Sequence, residues 1–363
     1  MNPLPRIPSP RNPAPLTIAD LGEQGLLQRL QPFCAPGVVG DDGAVLQPSP
    51  GQALVVTTDT LVEGVHFSAT TTPPEAVGWR SAAANLSDLA AMGALPLGLT
   101  VALALPSTCS VAWLEGLYQG LAQCVGDYGT AIVGGDLCRA PHLVVSITAL
   151  GEVPPPLVLK RNAAQVGDAI VVTGYHGASR AGLELLLDPD RALTGLCPPS
   201  PQQRDQWIRA HQYPRPRLDW VPWLRSALAQ GQSASASRSF AAMDSSDGLA
   251  DAVLQLCRAS GVGAHLVQAD LPLPPGLASW QGLATALDWT LYGGEDFELV
   301  LCLPETVLAG LEAASGAGVP AFGLRRVGTI VAGSQVTLHG SDPQEPGRVL
   351  SLDRGFQHFS ELF

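Results

Sequence analysis

ALVVTTDTLVEG (53–64), followed by PPEAVGWRSAAANLSDLAAMGA (73–94), decides how this chain folds. The first segment reads as a strand whose polar end falls at Thr57-Thr58-Asp59. The second reads as a helix, with Pro and Glu in its first turn and Gly93 near its end. One face of that helix is rich in Ala and Gly, which allows it to pack very close to a sheet. Asp88 falls inside it, where a carboxylate has no capping role and needs a partner or a metal.

Outward from this pair the pattern continues. LGLTVALALP (97–106) reads as a strand, residues 110–129 as a helix, and TAIVGGD (130–136) as a strand running into a glycine turn and an acid. HLVVSITALGEV (142–153) reads as another strand. Strand, helix, strand, helix, strand, strand predicts an α/β domain over 17–153, with a short amphipathic helix at 17–32 leading in. Residues 1–16 are a proline-rich tail, expected to be disordered and without the apolar core of a signal peptide. VPPPLVLKRNAAQVGD (153–168) reads as a crossover into a second α/β domain over 154–363. That domain is expected to carry AIVVTG (169–174), the helix after Gly177, and FAAMDSSDGLADAVLQLCRASG (240–261) as strand and helix. A helix–turn–strand follows at 283–304, then a late strand pair at 321–333. QGQSASASRS (230–239) is of low complexity and reads as a mobile loop.

Composition narrows the function. The chain has 363 residues, 46% hydrophobic and 14% charged, enough for two packed domains. A net charge of −12 argues against nucleic acid or an anionic membrane as partner. Nucleotides stay open, because bound Mg²⁺ reverses the local sign. Seven dispersed cysteines without a CxxC pair suggest reduced thiols and a cytoplasmic protein. No run reaches the ~18 apolar residues of a membrane span.

Acid is placed unusually. Aspartates recur inside short Gly- and Ser-rich segments: GDD (40–42), TTDT (57–60), NLSD (85–88), GGD (134–136) and MDSSDG (243–248). Mg²⁺ takes oxygen ligands and completes its octahedron with phosphate and water. Asp42, Asp59, Asp88, Asp136, Asp244 and Asp247 would form such a wall, with Thr57, Thr58 and Ser246 adding neutral oxygens. The ordinary alternative for any one Asp is a cap or turn residue, a role that Asp41 and Asp244 fit well. So many carboxylates close together require cations, because like charges raise one another's pKa. Lys160 is the only lysine, so a P-loop scheme is excluded and no GxxxxGK[ST] occurs. Arg161 either grips a phosphate or is a solvated charge. His66 is either a turn histidine or a substrate contact. Glu295 and Asp296 are barely separated, with Glu295 favoured to face the cleft.

GDDGAVL (40–46), TTDTLVEGVHF (57–67), WRSAAANLSDLAAMGA (79–94), IVGGD (132–136), MDSSDGLADAV (243–253) and YGGEDFELV (292–300) occur in that order. Together they resemble the thiamine-monophosphate kinase family. Its superfamily also holds aminoimidazole ribonucleotide synthetase, selenophosphate synthetase and the hydrogenase-maturation dehydratase. The resemblance spans about residues 20–359. It implies a homodimer with a barrel-like interface between N-terminal domains, and a C-terminal α/β sandwich domain. It implies ATP and several Mg²⁺ ions, with the γ-phosphoryl passing directly to thiamine monophosphate and no dedicated catalytic base. By motif, Asp42, Thr57, Thr58, Asp59, Asp88, Asp136, Asp244 and Asp247 match the metal shell. Gly135, Asp136, Arg161 and Ser246 match nucleotide contacts, with Tyr118 a weaker match. His66, Glu295 and, in the terminal GFQHF (355–359), Phe356 match substrate contacts. GGDLCR (134–139) replaces the family's GGDTTR, Ser245 stands where an apolar residue is usual, and GDDGA replaces GDDAA. The alternatives are a synthetase of the same superfamily and a non-catalytic thiamine-phosphate-binding protein. The latter would be expected to have lost one or two motif aspartates, and none is missing.

Overall fold

The computed structural model describes residues 15–232, 239–313, 323–340 and 346–356. The expectations for the tail (1–14), the low-complexity loop (233–238) and the terminal residues 357–363 lie outside these described residues.

The first domain runs α1 (Ile18–Leu30), β1 (Ala53–Val62), α2 (Pro74–Ala91), β2 (Leu95–Leu105), α3 (Val111–Asp127), β3 (Ile132–Arg139) and β4 (Val144–Val153). Its strands form one sheet in the order β1-β4-β2-β3. β4 runs antiparallel to both β1 and β2, and β3 runs parallel to β2. The barrel-like interface expected from the resemblance is corrected here: neither sheet closes into a barrel or curls strongly. β1 and β3 remain free edges, and four strands are too few to close around a filled interior.

Side chains alternate across this sheet because successive residues of a strand point to opposite faces. One face buries Val101, Leu103, Val145, Ile147 and Ala149 under α2 and α3. The other is open, with Leu54 and Val56 half exposed on it.

α2 is buried nearly all round; only Pro74, Glu75 and Asp88 of its 18 residues escape. Glycines set how close it lies to α3. A Cβ on Gly78 would meet the Leu117 carbonyl at 1.9 Å, and one on Gly120 the Glu75 carbonyl at 1.8 Å. The small-residue character of α2 therefore serves helix–helix as well as helix–sheet packing.

The second domain runs β5 (Ala169–Val172), α4 (Ala178–Leu187), α5 (Pro201–Gln212), α6 (Val221–Gln232), β6 (Ala241–Asp244), α7 (Leu249–Ser260) and β7 (Gly263–Val267). It continues with α8 (Leu277–Gln281), α9 (Leu283–Tyr292), β8 (Leu299–Leu303), α10 (Glu305–Ala313), β9 (Arg325–Val331), β10 (Val336–His339) and β11 (Arg348–Val349). Seven strands form a mixed sheet in the order β11-β10-β7-β9-β5-β8-β6. The expected late strand pair is β9 alone, β10 coming after the turn at Gly333. The polar stretch 188–219 holds the regular helix α5, capped at Ser200, whose Oγ accepts from the Gln203 amide.

The two domains share a core. Leu218, Trp220, Phe240 and Leu299 of the second join the apolar cluster that contains Leu86 and Leu89 of α2. β6 is an edge strand and α2 packs beside it, which sets the two acid-bearing segments next to one another.

Candidate active site

A cavity of about 990 Å³ opens between the domains. β1 and the following turn supply Asp59, Val65 and His66. α2 supplies Arg80 and Ala84. The second domain supplies Arg180, His211, Ser246, Asp247, Glu295 and Phe356.

At one end stand the carboxylates. Thr57 and Asp59 point inward, and the Thr57 hydroxyl donates to Asp88. The Asp59 amide donates to Asn85 Oδ1 at 3.1 Å. Across the domain boundary the Ser87 hydroxyl donates to Asp244 Oδ2 at 2.7 Å, and the Ser246 hydroxyl to Asp244 Oδ1 at 3.0 Å. Burial, with the charges of Asp88 and Asp247 beside it, raises the Asp59 carboxyl to about 6. Burial and the charge of Asp88 raise Asp244 to about 7, against the pull of its two serine donors. Burial also raises Asp88, held back by Thr57 and by the nearby charge of Arg161. Exposed Arg161 donates to Gln255 Oε1 at 3.2 Å.

This donor set fits a hard divalent cation. It is all oxygen, drawn from both domains, and its acids are destabilised as anions by one another. Among the described residues no three acidic, His or Cys side chains form a ready-made metal-holding group.

Five predicted residues lie apart from this cluster. Asp42 is exposed on the loop between α1 and β1. Thr58, one residue from Asp59, faces the open side of the sheet, where its hydroxyl bonds that of Thr148 at 2.9 Å. Asp136 pairs across β2 and β4 with Ala102, Ser146 and Thr60, so its side chain lies on the open face with theirs. Gly135, itself exposed, falls in the Asp59 row, and a Cβ there would strike the Val101 carbonyl. Asp59 and Asp136 thus sit on opposite faces and opposite edges, three strand spacings or about 14 Å apart laterally. Tyr118 is buried in α3 against Phe33, with ring centroids 5.9 Å apart.

At the other end the YGGEDFE turn is wound tightly. Glu295 and Phe297 adopt φ +58° and +52°. Non-glycine residues rarely take such values. Three bonds hold the turn: the Glu295 amide donates to the Ser246 carbonyl at 2.6 Å, and Asp296 accepts from the Gly177 and Ser179 amides at 2.6 and 2.9 Å. Asp296 is thereby committed to the start of α4, while Glu295 lines the cavity. Arg80, 2% exposed, donates to Glu295 Oε1 and to the His211 carbonyl. His66 Nδ1 accepts from the Val62 amide at 3.0 Å, and its ring lies 6.4 Å from that of Phe356.

Arg80, Asn85, Ser87 and His211 do not emerge from the sequence reading. The first three carried a usable signal, since they are polar residues inside a small apolar helix, as Asp88 is. His211 carried none.

The family model for the AIR synthase related protein, N-terminal domain, matches residues 40–153. Thiamine-monophosphate kinase of Synechococcus elongatus is 51% identical over 345 residues, covering 95% of this chain and 98% of that one. The crystal structure of thiamine-monophosphate kinase from Stenotrophomonas maltophilia K279a superposes with a TM-score of 0.73 at 33% identity, over 86% of this chain and 95% of that one. AaThiL complexed with AMPPCP and TMP superposes at 0.65 and 29% identity, over 91% and 97%.

Proposed function

The chain belongs to the thiamine-monophosphate kinase family, and we propose how its interdomain cleft performs that reaction. The protein phosphorylates thiamine monophosphate with ATP, giving thiamine diphosphate and ADP. One observation carries the assignment to this cleft: Asp59 of one domain and Asp247 of the other line one cavity together with Glu295, and Asp88 and Asp244 stand close enough for the acids to act on one another's charge.

Asp59, Asp88, Asp244 and Asp247 would hold Mg²⁺, with Thr57 and Ser246 nearby, and the ion would supply positive charge against the phosphates. The chain's own groups do the rest. Arg161 and the Ser246 hydroxyl bind the nucleotide phosphates. His66, Glu295 and Phe356 hold the organic end of thiamine monophosphate. An acceptor phosphate is already anionic near neutral pH, so no side chain needs to remove a proton. Transfer is direct, without a phosphoenzyme. Tyr118, buried against Phe33, is given no nucleotide contact here.

Asp42, Thr58, Gly135 and Asp136 join the site through a homodimer. Leu54 and Val56 mark an uncovered apolar strip on the open sheet face, which also carries Thr58 and Asp136. A second copy seated there gives Asp136 a route to a cleft that its own chain denies it. We place the reaction in the cytoplasm, where ATP is available; no helix of the described residues is long and apolar enough to cross a membrane.

The deciding assay supplies purified protein with ATP, Mg²⁺ and thiamine monophosphate. Stoichiometric ADP and thiamine diphosphate are expected. ATP use without thiamine diphosphate rejects the reading. A phosphoenzyme formed with ATP alone and chased to product rejects direct transfer. Light scattering tests the dimer, for which a monomer at micromolar concentration is the contrary result.

A further inference from the structure

We propose that Arg80 is a positioning residue: it fixes the Glu295 carboxylate in the substrate cavity, and α2 fixes Arg80 relative to the metal-binding acids. This rests on the kinase reading above. The argument begins with what Arg80 touches. One terminal nitrogen donates to Glu295 Oε1; the other donates to the His211 carbonyl and stands 3.4 Å from His211 Nδ1. The Ser179 hydroxyl lies 3.1 Å from the same ring nitrogen, and His211 Nδ1 stands 3.7 Å from Glu295 Oε2. Burial and the Arg80 charge keep His211 neutral, its pKa lowered to about 2. Among the described residues the only cation bonded to Glu295 is therefore Arg80.

A guanidinium kept for stability alone would satisfy its donors. Arg80 Nε is buried without a hydrogen-bond partner, a cost tolerated when the fork is aimed for another purpose. Its target carboxylate is one-third exposed, lines the cavity and sits on a turn with φ +58°. The turn fixes where the Glu295 side chain leaves the backbone, and the bond from Arg80 fixes where its carboxylate ends.

The second half of the argument is distance. Arg80, Ala84 and Asp88 follow one ridge of α2 at i, i+4 and i+8. Eight residues of helix span about 12 Å. Ala84 lines the cavity between the two ends. α2 is locked by its glycine contacts with α3, so the distance from Glu295 to the acids is held by backbone. A substrate gripped at its organic end then presents its phosphate at a set place along the helix.

The test uses the full-length protein, with KM measured for each substrate and thiamine monophosphate binding measured by calorimetry without ATP. R80M is expected to raise the KM and Kd for thiamine monophosphate about tenfold to a hundredfold, the range for a lost charged hydrogen bond, with KM for ATP within about twofold. R80K keeps charge without the fork and should fall between. In an E295Q background R80M should add less than about twofold, because Arg80 acts through Glu295. If R80M does not fold, R80K decides: an unmoved KM for thiamine monophosphate overturns the proposal. So does an equal rise in both KM values, or effects of R80M and E295Q that multiply. An inactive wild type overturns the kinase reading and this inference together. An active wild type with no such split overturns this inference alone.

Discussion

Two groups of acid are buried in this protein, and they are partnered in opposite ways. Glu298 lies under the second sheet with Arg217 forked onto both its oxygens and the Thr173 hydroxyl donating as well. Glu295 has Arg80. Among the described residues Asp88 and Asp244 accept from the Thr57, Ser87 and Ser246 hydroxyls, no arginine is bonded to them or to Asp59, and the charge of Asp88 raises both Asp59 and Asp244. An acid closed by a guanidinium is finished when the chain folds. A lone acid can also be settled by neutral donors, as Asp296 is by two backbone amides, but several such acids set side by side need a cation from solution. The two groups therefore separate scaffold from site without reference to any relative.

Asp88→Asn is the strongest way to break this contrast. It should lower kcat about a thousandfold while circular dichroism and the melting curve stay near wild type. A rate near wild type would mean that the open acids are not the metal wall. Arg217→Met tests the closed group. It strands a buried carboxylate and should cost about 3–5 kcal/mol in denaturant unfolding. R217M/E298L should recover most of that loss, whereas no second substitution of a neighbouring acid should rescue D88N. Gly78→Ala probes the helix that joins the groups. Its new methyl meets the Leu117 carbonyl, so about 1–3 kcal/mol should be lost, with both KM values moving if α2 shifts.

The smallest effect concerns pH. Asp59 and Asp244 have folded pKa values raised to about 6 and 7, above their ordinary 3.8. The folded protein thus binds more protons than the unfolded one between pH 4 and 7. Without metal, the stability these groups contribute is full below pH 4 and falls as pH rises to about 7. Mg²⁺ needs the ionised acids, so the rise in melting temperature on adding it should grow over the same interval. A Mg²⁺ increment that is flat between pH 5.5 and 7.5 would erase the distinction between open and closed acids.

Most of the first domain was legible in its sequence. β1, α2, β2, α3, β3 and β4 fall where periodicity put them, except that β3 continues as strand through Gly134-Gly135-Asp136 to Arg139, where a glycine turn was expected. Local chemistry writes those signals. What was not legible depends on pairing. Strand order places β3 three strands beyond β1, and alternation turns Thr58 and Asp136 away from Asp59; neither can be read from a motif. Barrel closure belongs to the same class. At the site, Asp88 was readable because a charge in a helix interior demands a reason. Arg80 made the same demand eight residues earlier, in plain view. Arg217 and Glu298 meet across 81 positions of chain, and only the fold brings them together.

The left-handed glutamate has a consequence for anyone engineering heat resistance into this protein. A non-glycine residue held at φ +58° costs on the order of 1–3 kcal/mol. Glu295→Gly would relax it, and a screen for thermal tolerance would favour that change. The selected protein would be tougher and would have given up its grip on substrate. At this position durability and recognition draw on the same bond angles, so a campaign that optimises one alone will select against the other.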